Sequence, residues 1–228
     1  MWDRKEIKMR GKAAFLKNYG SAVIVALIMS MIVNILNGNN LVTVTKEIES
    51  LSAEMLRLIG ISVSIMGLIV IILEIFVKNP FEVGGCKFFV QNQTGQPGVG
   101  VILDIFKSGN YMNVVTIMFM RDLFVFLWSL LFLIPGIIKM YEYRMIPYIL
   151  ADNPGMDRKE AFLISKQMMN GQKMEFFVLE LSFYGWILLS FLTCNLLNVF
   201  FVSPYMQASF AEVYYHNKMQ AYQQGYIR

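Results

Sequence analysis

Histidine is almost absent from this 228-residue chain, cysteine is scarce and charge is thin. The one histidine, His216, lies near the end, so neither an H-E-x-x-H zinc site nor a Ser-His-Asp triad can be assembled from familiar parts. Cys86 and Cys194 are far apart and offer no zinc spacing and no disulfide framework, so both read as small apolar packers. The glycines of Thr94-Gly95-Gln96-Pro97-Gly98-Val99-Gly100 have no Gly-Lys-Ser/Thr after them and no strand before them, which excludes a phosphate loop and leaves a flexible connection. No basic surface is interleaved with aromatics, so nucleic acid is set aside as a partner. No segment repeats with a period of roughly 20 to 50 residues. These absences call for no cofactor and no metal, and they name no catalytic residue.

Apolar residues are what the chain has in excess. With 56% of residues hydrophobic, 16% charged and a mean hydropathy of +0.51, most of it is built for lipid. The expected fold is all-α: a polytopic membrane bundle of six transmembrane helices behind a basic amphipathic helix, with both termini cytoplasmic. Residues 1–18 are that helix. Trp2, Met9 and Leu16 recur seven apart with Ala13 nearby, while Arg4, Lys5, Lys8, Arg10, Lys12 and Lys17 take the other positions. Such a helix lies on an anionic leaflet, with Arg4, Lys5, Lys8 and Lys12 meeting headgroups. No A-x-A-like site follows the apolar run, so cleavage is not expected.

The membrane domain spans 19–217, with helices at 19–36, 55–77, 111–134, 137–151, 174–195 and 199–215, and 218–228 is a cytoplasmic tail. Ala22, Ala26, Ser30 and Asn34 recur every fourth residue, and Gly60, Ser64 and Gly67 fall on neighbouring turns, so the first two spans each carry a small face suited to close helix approach. Lys78-Asn79-Pro80 marks the end of the second span or a kink in it. Phe81 to Gln93 reads as a helix at the membrane surface, and Val101 to Phe106 as a short apolar segment against the bundle mouth. Ile134-Pro135-Gly136-Ile137 turns the third span back into the fourth. Asp157 with Glu160 three residues on resembles a capped helix start, and Gly171 closes that helix.

Ile137 to Ala151 is short for a span, since its 15 residues cover about 22 Å. Cation distribution decides in its favour. With it as a span, fifteen Lys and Arg lie on the side of both termini against Lys46 alone on the other; laid on the outer surface, it would leave nine on each side. Excess positive charge belongs on the cytoplasmic side.

Several charges then fall inside the bilayer: Arg121 and Asp122 on the third span, Lys139, Glu142 and Arg144 on the fourth, Asp152 at its end, Glu180 on the fifth and Glu212 on the sixth. An unpaired guanidinium there is costly, so Arg121 is expected to face inward and pair with Asp122, Asp152, Glu180 or Glu212. Two readings of this polar cluster stand. It is an ion network that fixes helix register, or it lines a cavity, open to the cytoplasm, for an ion, a lipid headgroup or a peptide. Trp128, Tyr141, Tyr143, Trp186 and Tyr205 read as interfacial belts or core packing.

Several runs carry a resemblance to a known family. Asn79-Pro80-Phe81-Glu82-Val83-Gly84, LFLIPGIIK at Leu131 to Lys139, YILADNP at Tyr148 to Pro154, Ser165-Lys166, Gly171-Gln172-Lys173, LSFYGW at Leu181 to Trp186 and Pro204-Tyr205 resemble the bacterial integral-membrane family called domain of unknown function 975. More distantly, that family is similar to the membrane portion fused to some glycerophosphodiester phosphodiesterases, whose soluble catalytic domain has no counterpart in this sequence. The resemblance implies a six-helix, multi-pass protein of a bacterial plasma membrane, and brings no established activity. The expected function is non-enzymatic. The protein would act by binding, as an accessory or regulatory component that handles lipid or a membrane-active peptide, alone, as a homodimer or with a membrane protein partner. The alternatives are a small transporter or lipid translocator with a polar cavity around Arg121, and an intramembrane carboxylate enzyme using Asp122, Glu142, Glu180 or Glu212.

Overall fold

A computed structural model describes residues 2–36, 53–193 and 195–225. The loop around Val42 to Ser52 with Lys46, and Cys194, lie outside the described residues. Helix α1 (Arg4–Lys17) begins where the Asp3 carboxylate accepts the Lys5 backbone N–H, and at Asn18 the chain bends by 102° into α2 (Tyr19–Leu36). Helix α3 (Ala53–Leu73) runs through a π-helical turn, Glu74–Lys78, into α4 (Asn79–Thr94). Lys78-Asn79-Pro80 is therefore a bulge in a continuing helix. Pro80 sits in the first turn of α4, where its missing N–H is cheap because the π turn already interrupts the ladder.

A 3₁₀ turn, Val99–Leu103, and α5 (Asp104–Lys107) lead into α6 (Tyr111–Leu131), α7 (Leu133–Glu142) and α8 (Ile146–Asp152). Helix α9 (Arg158–Met168) is capped by Asp157, which accepts the Lys159 N–H at 2.9 Å. Gly171, at φ +75°, makes the turn into α10 (Lys173–Leu192), and a π-helical turn, Asn198–Val202, opens into α11 (Ser203–Gln223). No strand occurs among the described residues.

Two helices form the axis of the core. Helix α4 touches α2, α6, α8, α11 and the 3₁₀ turn, and buries Val83, Cys86, Phe88 and Phe89; the other, α11, packs on α1, α2, α4 and α9. The expectation of a surface helix over Phe81 to Gln93 fails, because apolar residues at 83, 86, 88 and 89 face several neighbours at once and no single polar face remains. A Cβ on Gly84 would fall on the Ile102 carbonyl oxygen, so glycine is what lets the 3₁₀ turn seat against α4.

Helix α1 also differs from expectation. It docks on α11 through Ile7, Gly11, Ala14 and Phe15, while Met9 and Leu16 of the expected stripe are 66% and 52% exposed. Within the helix, burial follows the 3.6-residue period at 7, 11, 14 and 15, and of the expected stripe only Trp2, ahead of the helix, is buried. Gly11 permits it: a Cβ there would stand 2.7 Å from Ser209 Cα.

The hairpin turns at Phe132, whose extended backbone (φ −154°, ψ 139°) separates α6 from α7, and not at Pro135-Gly136. Pro135 lies in the first turn of α7, and Gly136 is packed on Ser129 of α6. The expected fourth span is broken at Tyr143–Met145 into α7 and α8, which is buried from Ile146 to Ala151 with Asp152 exposed at its end. The expected sixth helix continues past residue 215 to Gln223, and Asn217 and Ala221 are buried, so this part of the expected polar tail is structural.

Among the described residues three helices are long and apolar enough to cross a membrane: Gly60–Thr94, Tyr111–Leu131 and Lys173–Leu192. A fourth appears if the bent α1–α2 pair counts as one span. Helix α3, the far half of α6, the start of α7 and the far half of α10 present exposed apolar side chains, among them Leu68, Phe126, Leu130, Leu133 and Leu192. The faces at Gly60 and Gly67 meet nothing within 4 Å, so the small residues of α3 seat no described helix.

Candidate functional site

Where the core of α4 meets α6, an ion cluster fastens the two. The Arg121 guanidinium donates to both oxygens of Glu82, at 2.8 and 3.1 Å, and its Nε donates to Asp122 Oδ1 at 2.9 Å. Asp122 Oδ2 accepts in turn from Asn79 Nδ2 at 2.9 Å. Asn79 and Glu82, three residues apart, share one face of α4. A fork-to-fork Arg–carboxylate pair fixes orientation as well as distance, so α6 is held in register on α4.

The other expected site residues are not gathered around Arg121. Glu142 collects Lys139 at 3.1 Å, Lys173 at 3.2 Å and Lys166 at 3.9 Å. Glu180 accepts from Arg144 at 2.8 Å and from the Tyr141 hydroxyl at 2.6 Å. Asp152 accepts from Lys218 at 2.6 Å and Tyr214 at 2.7 Å, while Glu212 meets Arg10 at 3.5 Å. Five separate charge groups stand where one cluster was expected. Sequence depth counts misplace these partners because α7 and α8 are not one straight rod.

One cavity lies beside these groups. About 460 Å³ in volume, it is walled by α2, the start of α4, the segment from Arg144 to Tyr148 and the start of α11. Glu82, Arg144 and Lys78 bring charge to its wall, Tyr148 and Gln207 bring hydrogen-bonding groups, and Ala26, Met29, Phe81 and Pro147 supply apolar surface. Glu82 is thus shared, its carboxylate held by Arg121 and its residue facing the cavity. Arg144 stands at the break between α7 and α8, where the helical bonds tighten to Arg144 N–H to Tyr141 C=O at 3.3 Å and Ile146 N–H to Tyr143 C=O at 3.2 Å. Its guanidinium lies 5.6 and 5.3 Å over the Phe176 and Phe210 rings, an arrangement that steadies a cation on apolar surface. Of its five N–H donors, one is committed to Glu180 among the described residues.

Sequence reasoning placed Arg144 among the site residues and missed Glu82, Lys78, Tyr148 and Gln207. The signal for Glu82 was present: Asn79 and Glu82 at helical spacing ahead of a run buried on several sides. Reading that run as a surface helix hid it. Among the described residues no group of three His, Cys, Asp or Glu side chains is placed to hold a metal ion.

No curated protein and no solved structure matches this chain, so the distant likeness to glycerophosphodiester phosphodiesterases gains no support. A family model described as protein of unknown function (DUF975) matches residues 58–221. That stretch holds α4, the Arg121–Glu82 pair and most of the cavity wall, and over it the chain belongs to the DUF975 family.

Proposed function

We propose that this is a non-enzymatic, multi-pass protein of a bacterial plasma membrane that binds an amphiphile, the polar end of a lipid or of a membrane-active peptide, in the cavity between α2, α4, α8 and α11. The observation that carries this is the pairing of a broken helix with a half-polar cavity. Non-helical backbone at membrane depth is tolerated where it is buried in protein or lines a cavity, and half-helices that meet at such breaks are a recurrent way to build membrane binding sites. The break at Tyr143–Met145 puts Arg144 on the cavity wall with donors to spare. A guanidinium suits phosphate or carboxylate, and the apolar wall suits the first carbons of a chain.

With the turn at Phe132, the fourth segment runs from Leu133 to Asp152, and its 20 residues would cover about 30 Å. This removes the shortfall of a span beginning at residue 137 and supports six spans, the fourth one broken. The excess of cations on the side of both termini supports a cytoplasmic placement for them. The same break supports a second reading, a lipid translocator or small transporter in which α7 and α8 move about residues 143–145. The carboxylate-enzyme alternative asks for two acids facing open space; Glu82 is the only acid on the wall of this cavity, and of the two that line a second one, Asp152 and Glu160, Asp152 is held by Tyr214 and Lys218.

The test is purification in mild detergent followed by mass spectrometry of what stays bound. The parent protein should carry one defined amphiphile; Arg144→Gln should lose it, while Glu180→Gln, which breaks the same ion pair but leaves the guanidinium on the cavity wall, should keep it. A parent that carries only the average lipid of its membrane would contradict the proposal.

A further inference from the structure

The six cations of α1 separate into three kinds. Arg10 is used internally, paired with Glu6 at 2.6 Å and Glu212 at 3.5 Å. Arg4, Lys5 and Lys17 are exposed, and no ion pair or ring contact is recorded for them among the described residues. Lys8 and Lys12, one turn apart, instead reach back over the bundle. Lys8 Nζ donates to Ser182 Oγ at 3.2 Å and stands 4.3 Å over the Phe183 ring and 5.8 Å over Tyr205; Lys12 Nζ stands 6.0 Å over Phe201. Neither has a carboxylate within ion-pair distance among the described residues.

The rings beneath these ammonium groups belong to the apolar part of the fold. Phe201 lies against Trp186, and Trp186 and Phe200 are themselves exposed. The 102° elbow at Asn18 sets α1 nearly square to α2, an attitude that lays α1 along a leaflet surface while α2 enters it. Two ammonium groups with unspent donors at the surface and an exposed aromatic wall running into the apolar region make a phosphate-over-chain arrangement; the Ser182 hydroxyl, which accepts from Lys8 and donates to the Leu179 carbonyl, only positions the first of them. A free phosphate would meet the two charges but leave Trp186 and Phe200 bare.

We propose that Lys8 and Lys12 hold the headgroup phosphate of an anionic phospholipid of the leaflet on which α1 lies, its acyl chain resting on Trp186 and Phe200. This narrows the headgroup contacts expected at Arg4, Lys5, Lys8 and Lys12 to two lysines, and it is independent of the cavity at Arg144.

The experiment uses the full chain carrying Trp2→Phe and Trp128→Phe, so that Trp186 is the one indole, reconstituted in phosphatidylcholine nanodiscs. Quenching of Trp186 is compared for brominated phosphatidylglycerol and brominated phosphatidylcholine. The anionic lipid should quench more strongly at equal content, with each lysine contributing about fivefold to the preference. Lys8→Gln/Lys12→Gln should abolish it, Lys8→Arg/Lys12→Arg should keep it, and Arg4→Gln/Lys5→Gln should leave it near the parent value. Added inorganic phosphate should leave the preference unchanged; erasing it would assign the site to free phosphate and overturn the proposal. Equal quenching by the two lipids in the parent, or the same loss in the Arg4/Lys5 variant as in the Lys8/Lys12 variant, would also overturn it, the latter by reducing the effect to general surface charge. Misfolding of the Gln pair is checked by its melting temperature and by recovery in the Arg pair.

Discussion

Removing Arg121 alone from its cluster should cost at least as much as removing Arg121 and Glu82 together. Arg121→Gln deletes two bonds to Glu82 and those to Asp122, and leaves two carboxylates facing each other at the α4–α6 contact with Asn79 as the remaining donor. The Arg121 side chain is 15% exposed and that of Glu82 30%, so the loss belongs at the low end for a buried pair, about 3 kcal/mol. At about 3 °C per kcal/mol for a chain of this size, the melting temperature should fall by roughly 9 °C. Glu82→Gln leaves Arg121 its Asp122 partner and should cost about half as much. The double variant Glu82→Gln/Arg121→Gln should be less destabilised than the sum of the singles, with a coupling of about 2 kcal/mol. Thermal denaturation of the four proteins in one detergent reads this directly. Strict additivity, or a fall of less than about 2 °C for Arg121→Gln, would refute the claim that this pair latches α6 to α4.

Three further outcomes follow from single contacts. Gly11→Ala places a Cβ 2.7 Å from Ser209 Cα, which cannot give way as a flexible side chain would, so the variant should melt lower and its α1 should exchange amide hydrogens faster; Gly67→Ala, with nothing within 4 Å, should be neutral or up to about 1 kcal/mol more stable. Gly84→Ala drives a Cβ into the Ile102 carbonyl and should lower expression as well as melting temperature. Among the described residues the buried His216 Nε2 has no hydrogen bond, and burial above all, with nearby positive charge that includes Arg10, holds its pKa below the ordinary 6.5. The unfolded chain therefore binds a proton that the folded chain refuses as pH falls through 6.5, so stability is intact above that value and lost below it. His216→Asn should lose less than the parent when melting is compared at about pH 7.5 and about pH 5.5.

The long apolar runs made the membrane helices legible, since Tyr111–Leu131 and Lys173–Leu192 need only length and composition to be found. The start of α9 was legible because its cap is local chemistry at Asp157. Tertiary choices were not. Nothing in the order of residues 111–152 says whether Phe132 or Pro135 turns the chain, since Pro is as much at home in the first turn of a helix as in a loop. The packed face of α1 depended on what α11 offered, a Ser209 that accepts Gly11, and that partner lies about two hundred residues away. The charges of the candidate site were all visible, but their pairing was not, because the break at Tyr143–Met145 turns Arg144 toward Glu180 and the cavity while Glu142 gathers lysines.

The central question is whether the cavity beside Arg144 takes one amphiphile. Gln207→Trp keeps every charge on the cavity wall and takes up part of its space, so native mass spectrometry of the parent and this variant, released from the same membranes, isolates that question. One bound molecule in the parent and none in Gln207→Trp, at equal melting temperature, is the predicted result; the same bound mass in both proteins would contradict it.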